Sequence, residues 1–218
     1  RPFRESLPVI EAGMSQRLRV HATHPQPRLV QQAAERLLAG RLCVLPTDAG
    51  YTFAWTMDAR AAEDRVARMR RLDTRHPFTL LCASISEIGS LAKLDDRAFR
   101  LVKRLIPGPV TFILPAANDL PRRLKQSRRR AIGCRIPDHA VSRNLLEFLG
   151  TPLLSTTLAY PDEELDSHDV EAVAERTERD ADLMLDAGDC APGPTSVLDL
   201  TGDTPEITRQ GFHPLALD

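Results

Sequence analysis

Leu42-Cys43-Val44-Leu45-Pro46-Thr47-Asp48-Ala49-Gly50-Tyr51-Thr52-Phe53-Ala54-Trp55 is the stretch that decides the fold. Leu42 to Leu45 is a short continuous apolar run of the kind that makes a buried strand, and Pro46, with no amide proton to offer a ladder, is predicted to end it. A tight turn through Thr47 to Gly50 follows, and Tyr51 to Trp55 reads as a second strand. Upstream, Leu29, Val30, Ala33, Ala34, Leu37 and Leu38 stripe one side of a helix over Arg28 to Leu38, which Gly40 stops. Downstream, Ala59 to Arg71 repeats the helical spacing, with Val66 and Met69 inward and Arg60, Arg65, Arg68, Arg70 and Arg71 mostly outward.

The alternation of short apolar runs and helical stripes continues to the C-terminus. It predicts strands at Phe78 to Cys82, Val110 to Leu114, Ala131 to Ile136, Pro152 to Thr156, Leu183 to Leu185, Ser196 to Leu200 and Glu206 to Arg209. A helix opens at Asp95 and Asp96, whose charge suits the exposed amide dipoles, and Pro107-Gly108-Pro109 ends it. Further helices fit Ala140 to Phe148 and Val170 to Arg179, and Pro161 to His168 reads as an acidic loop. Interleaved helices and short strands argue an α/β sheet with helices packed on it, while spacing leaves the pairing order open. No repeat or linker divides the chain. Residues 14–218 are therefore read as one domain, and residues 1–13, ahead of Met14-Ser15-Gln16, as a poorly anchored extension.

At 42 % hydrophobic and 27 % charged residues, the 218-residue chain has the composition of an ordinary globular protein. No apolar run approaches the roughly 18–20 residues that span a bilayer, so no membrane partner is expected. Cys43, Cys82, Cys134 and Cys190 are widely spaced and form no Cys-x-x-Cys pair. They are read as reduced thiols, mostly buried, in a cytoplasmic protein. The six histidines lack metal-ligand spacing, and no protein-held metal is expected.

The net charge of −1 conceals a segregation. Residues 60–135 carry 18 Lys and Arg against 7 Asp and Glu, whereas residues 159–218 carry 3 against 16. Either the two regions neutralise each other across the fold or the basic one meets an anionic partner. Its densest part is Arg122, Arg123, Lys125, Arg128, Arg129 and Arg130, six cations within nine residues. This tract is the candidate contact for tRNA or double-stranded RNA, since clustered cations bind a phosphate backbone without reading its sequence.

The usual nucleotide and hydrolase signatures are absent: no phosphate-binding Gly-x-x-x-x-Gly-Lys loop, no Gly-x-Gly-x-x-Gly and no Gly-x-Ser-x-Gly. Polar residues instead gather at predicted strand ends, where open α/β sheets place ligands. They are Thr47, Asp48 and Tyr51, then Thr111, then Ser155-Thr156-Thr157, then Thr195-Ser196, and finally Arg209.

In that order these stretches resemble the YrdC/YciO family, whose best-known members are threonylcarbamoyl-adenylate synthases. The matching segments are Val44 to Tyr51, Pro107 to Leu114, Gly133 to His139, Pro152 to Thr157, Thr195 to Leu200 and Ile207 to Gly211, together covering roughly residues 18–211. The resemblance implies a single twisted mixed sheet with packed helices and a concave basic surface. It also implies a chemistry in which threonine and bicarbonate give a carbamate that attacks the α-phosphate of ATP. ATP would be a substrate and Mg2+ would arrive with the triphosphate; family members are also linked to double-stranded RNA. By the same resemblance Arg70 and Thr157 would be catalytic. Thr47 and Tyr51 would line the amino-acid end, Ser155 would contact carboxylate or phosphate, Arg135, Ser196 and Arg209 would hold phosphates, and Thr111 would lie at the base. Two motifs depart from the synthases. Their Lys-x-Arg is Arg70-Arg71-Leu72 here, and their Ser-x-Asn is Thr157-Leu158-Ala159. Both departures resemble the YciO branch and imply a weak or altered synthase activity.

Overall fold

The pairing order left open by spacing is a ten-stranded mixed sheet in a computed structural model that describes residues 15–73, 76–125 and 129–217. In chain order the elements are β1 (Gln16–Arg19), α1 (Pro27–Leu38), β2 (Cys43–Thr47), β3 (Gly50–Thr56), α2 (Arg60–Met69), β4 (Thr79–Leu81), α3 (Ile85–Leu91) and α4 (Asp96–Leu105). They continue with β5 (Val110–Pro115), β6 (Ala131–Arg135), α5 (Ala140–Leu149), β7 (Leu153–Thr157), α6 (Val170–Thr177), β8 (Leu183–Asp186), β9 (Ser196–Asp199) and β10 (Glu206–Arg209). The strands lie side by side as β1-β8-β2-β3-β7-β4-β6-β5-β9-β10. The extension read at residues 1–13 lies outside the described residues.

Every predicted helix and strand forms, with ends within two residues of those expected. Pro46 is the informative exception, because it lies inside β2 rather than beyond it. β8 accompanies β2 only at Cys43 and Val44, so at Pro46 that flank of the strand has no ladder needing an amide proton. β1 and α3 are additions. The polar Gln16-Arg17-Leu18-Arg19 is too short to show a period and pairs with β8 at the sheet edge. The start of α3 is fixed by Ser84, whose Oγ accepts from the Glu87 amide at 3.2 Å, while Glu87 reaches back to accept from the Ala83 amide at 3.1 Å.

Period-two alternation sorts the strand side chains onto two faces. On one face Val44, Phe53, Trp55, Leu80, Phe112, Ile132 and Leu154 join a continuous apolar core with residues of α2, α3, α4 and α6. Each large aliphatic or Phe side chain fully buried there contributes about 1.5–3 kcal/mol. On the other face Cys43, Leu45, Ala54, Leu81, Leu153, Leu183 and Leu185 lie under Val30, Ala33, Ala34 and Leu37 of α1 and Val141, Leu145 and Leu146 of α5. These two helices cover the β8-β2-β3 side and the adjoining ends of β7 and β4. The rest of that face is left uncovered, and there the alternation brings up Thr79, Thr111, Ile113, Gly133, Ser155 and Val197.

The segregated charges partly meet: Arg65 pairs with Asp182 at 3.1 Å, Arg71 with Asp162 at 3.0 Å and Arg129 with Asp199 at 2.6 Å. All four cysteines are free thiols, and Cys43, Cys82 and Cys134 are buried. Among the described residues no helix is long and apolar enough to cross a membrane.

Candidate functional site

The uncovered half-face forms the floor of a cavity of about 530 Å3. Strand register sets the floor in rows. Thr79 lies opposite both Ser155 and Gly133, and Gly133 lies opposite Ile113, so four strands contribute one row. Val197 lies opposite both Thr111 and Arg209 and begins a second. Gly133 carries no side chain, which deepens the floor at β6. One wall comes from the residues just after β7, Leu158 and Ala159, and from the acidic loop, through Leu165 and Ser167. That loop is tied down because the Tyr51 amide donates to the Ser167 carbonyl at 2.7 Å. Gly50, at φ 86°, leaves room for Ser167, whose Oγ lies 2.5 Å from where a Cβ would stand.

The lining is cationic. Arg70, Arg135 and Arg209 face the cavity, and no Asp or Glu lines it among the described residues. Arg70 is half-buried and donates to Thr156 Oγ1, and no carboxylate pairs with it among the described residues. Burial lowers its pKa, a sign that the charge is held where water solvates it poorly. Arg135 is buried and ion-paired with Asp48, and its Nη2 also donates to Thr47 Oγ1 at 3.1 Å. Desolvation lowers its pKa and the Asp48 charge opposes that shift. Its Nε is buried with no acceptor. An orphaned guanidinium donor in a carboxylate-free cavity suits an anionic ligand, to which charge-assisted hydrogen bonds are about twice as strong as neutral ones. A second hollow, of about 290 Å3, is lined by Arg17, Glu171, Glu175 and Glu178. Its one cation is already paired with Glu171 and Asp186, so it offers an anion nothing.

Of the residues expected from sequence, Tyr51, Arg70, Thr111, Arg135, Ser155, Thr157 and Arg209 come together on this cavity. The Tyr51 hydroxyl is engaged elsewhere, donating to the Gly188 carbonyl at 2.6 Å and accepting from the Ala187 amide at 3.1 Å. Thr47 and Ser196 lie buried behind the wall. Thr47 Oγ1 donates to the Gly50 carbonyl at 2.6 Å, and Ser196 Oγ donates to the His213 carbonyl at 2.9 Å while accepting from the Gly211 amide at 2.8 Å. Residues the sequence reading passed over are Thr79, His76, Phe78 and Ser167. Thr156 and Thr195 were named only within their strand-end clusters, without a role of their own, and tertiary contacts reveal that they share the wall.

The basic tract does not line the cavity among its described residues. Arg123 pairs with Glu63 at 3.3 Å and also donates to the Met57 carbonyl, Lys125 donates to the Asn118 carbonyl at 3.1 Å, and Arg129 pairs with Asp199. Arg122 and Arg130 are exposed, and Arg128 lies outside the described residues. No cluster of three or more His, Cys, Asp or Glu suited to a metal ion occurs among the described residues.

Residues 35–211 match the profile of the Sua5/YciO/YrdC family, which carries the description telomere recombination. The protein YciO of Escherichia coli K12 is 41 % identical over 198 residues, 91 % of this chain and 96 % of that one. The crystal structure of E. coli YciO superposes with a TM-score of 0.85 at 41 % identity, covering 91 % of this chain and 97 % of the other. A threonylcarbamoyl-AMP synthase of Pyrococcus abyssi is 27 % identical over 190 residues, 85 % of this chain and 55 % of that protein. The structure of P. abyssi Sua5 complexed with L-threonine shares the fold, with a TM-score of 0.81 at 24 % identity over 90 % of this chain and 58 % of that one.

Proposed function

The chain belongs to the Sua5/YciO/YrdC family, and from that premise we propose that its cavity binds ATP with a small amino acid and forms a carbamoyl adenylate at a low rate. Threonine and bicarbonate are the first candidates, because a related Sua5 is complexed with L-threonine and relatives are threonylcarbamoyl-AMP synthases. A carbamate oxygen attacks the α-phosphorus of ATP, the bond from that phosphorus to the bridging oxygen breaks, and pyrophosphate leaves. Arg70 and Arg135 hold the phosphates, Thr157 offers its hydroxyl to carboxylate or phosphate, Ser155 lines the floor with its own hydroxyl donating to the Thr79 carbonyl at 3.0 Å, and Thr111 lies at the base. Magnesium comes with the triphosphate, whose oxygens are its natural ligands. The observation that carries this reading is the lining itself, which among the described residues has three arginines and no carboxylate around a hydroxyl-bearing floor.

The direct test incubates the protein with ATP, threonine, bicarbonate and magnesium and looks for pyrophosphate together with threonylcarbamoyl-AMP. Saturating ATP with magnesium also raises the melting temperature. A ligand at a hundred times its Kd adds about 2.7 kcal/mol, roughly 5–10 °C for a domain of this size. A melting curve that ATP does not move, with threonine present or absent, rules the reading out.

Activity rises when the two departing motifs are restored. Ala159 lines the cavity whereas Leu72 does not, so Ala159→Asn carries the larger share and the pair with Leu72→Arg exceeds either alone. A double variant that melts like the parent and forms no more adenylate shows that these positions do not limit the rate. RNA binding through the basic tract has less support, because Glu63 and Asp199 already neutralise Arg123 and Arg129.

A further inference from the structure

Arg209 was expected to grip phosphate directly, but two of its donors are already engaged. Its Nε donates to the Thr195 carbonyl at 2.9 Å and its Nη2 to Thr195 Oγ1 at 3.0 Å. Thr195 Oγ1 in turn lies 2.8 Å from Thr111 Oγ1, and both threonines are buried in the cavity wall. A guanidinium only donates, so Thr195 must accept from it. The two hydroxyls hold two protons, and the single link between their oxygens uses one. The other has no protein acceptor among the described residues, whichever way the link runs. A donor polarised by a cation at the head of its chain, and left over at the wall of a cationic cavity, is matched to an anionic oxygen.

The surroundings hold this chain rigid. Gly211 packs so closely on the backbone of 194–196 that a Cβ there would collide with the Pro194 carbonyl and the Ser196 amide. The Gly211 amide donates to Ser196 Oγ at 2.8 Å, and the Phe212 amide donates to the Pro194 carbonyl at 2.9 Å. The Ser196 amide donates to the Pro109 carbonyl at 3.1 Å, and Thr111 pairs with Val197 in the sheet. Thr195 is thus fixed from three directions before any ligand arrives, which is the condition under which a hydrogen bond to an anion costs no reorganisation.

We infer that Arg209, Thr195 and Thr111 form a hydroxyl relay that presents one oriented O–H donor to a phosphate oxygen of the bound substrate. Arg209 is its positioning residue and acts through Thr195. The relay rests on the proposed phosphate-bearing ligand of this cavity.

Thr195→Val removes both the acceptor and the donor at nearly constant shape and weakens binding of ATP with magnesium by about ten- to a hundredfold, the range of one hydrogen bond to a charged group. Thr195→Ser restores the hydroxyl and binds within about threefold of the parent, since only a methyl group is lost. Thr111→Val weakens binding similarly, and Thr195→Val added to it costs little more, because both changes remove one relay; independent roles would give losses that multiply. Calorimetry on folded protein with ATP, pyrophosphate and inorganic phosphate reads all of these. If the parent binds ATP and Thr195→Val binds it equally well, or if the losses multiply, the relay is wrong and the nucleotide reading stands. If the parent ignores ATP but binds phosphate or pyrophosphate, and Thr195→Val weakens that, the relay stands and the nucleotide reading falls. A parent that binds none of the three overturns both.

Discussion

Arg70→Gln lowers adenylate formation by about 10²–10³-fold, the usual effect of removing one donor aimed at charge that develops in a transition state. The fold survives the change. Arg70 is half-buried, has no ion pair among the described residues, and donates a side-chain hydrogen bond to Thr156 Oγ1. One lost hydrogen bond of about 1 kcal/mol corresponds to roughly 2–4 °C in melting temperature. Single-turnover assays with protein in excess over ATP, read as threonylcarbamoyl-AMP, separate the two effects. An undiminished rate, or a loss that tracks unfolded protein alone, removes Arg70 from the reaction. Arg70→Lys recovers only part of the rate, since a point charge replaces a planar fork.

Arg135→Met has the opposite profile, striking stability first. It leaves Asp48 close to buried with its cation gone, and breaking a buried pair from one side costs about 3–5 kcal/mol. Among the described residues Asp48 retains only the Asp138 amide, which donates to Oδ2 at 2.9 Å. Adding Asp48→Asn removes the stranded charge and keeps that acceptor, so the double variant regains more than half of the loss, while ATP affinity stays low because the cation has not returned. Urea unfolding of the parent, the single and the double variants reads the first part, and calorimetry reads the second. A double variant no more stable than Arg135→Met shows that the pair is not coupled.

The elements were readable wherever a period had room to repeat. α1 shows its stripe over three turns, and β2 and β3 are strands because the sequence between Leu42 and Trp55 permits little else. α3 went unread because its apolar spacing, Ile85, Ile88 and Leu91, has no room to repeat within seven residues that include Gly89 and two serines, although Ser84-x-x-Glu87 was a start signal in plain view. β1 gave no signal, since an edge strand of four residues is defined by its partner β8 across the fold. The site was legible as residue types at strand ends, and seven of those residues do converge on one cavity. Their division of labour was not. Thr47 and Ser196 have the same chemistry as Thr111 and Thr157, yet they turn to backbone carbonyls behind the wall, and only packing decides between the two orientations. The basic tract is legible only in part for a related reason: charge density is a property of the sequence, but which cations remain free depends on carboxylates such as Glu63 and Asp199, far away along the chain.

The uncovered half of the sheet has a consequence for how such a protein changes over generations. Side chains at Thr79, Thr111, Ile113, Ser155 and Val197 belong to neither apolar core, so exchanging them perturbs no packed layer. Their strand neighbours Leu80, Phe112, Leu154 and Leu198, one residue away and facing the opposite side, are fixed in the larger core. Alternate positions of the same strands are therefore under separate selection, one set for folding and one for what is bound. A lineage can shift its substrate by drifting through the cavity-facing set while the scaffold beneath stays as it is, so a family with one shape is free to hold members with different reactions.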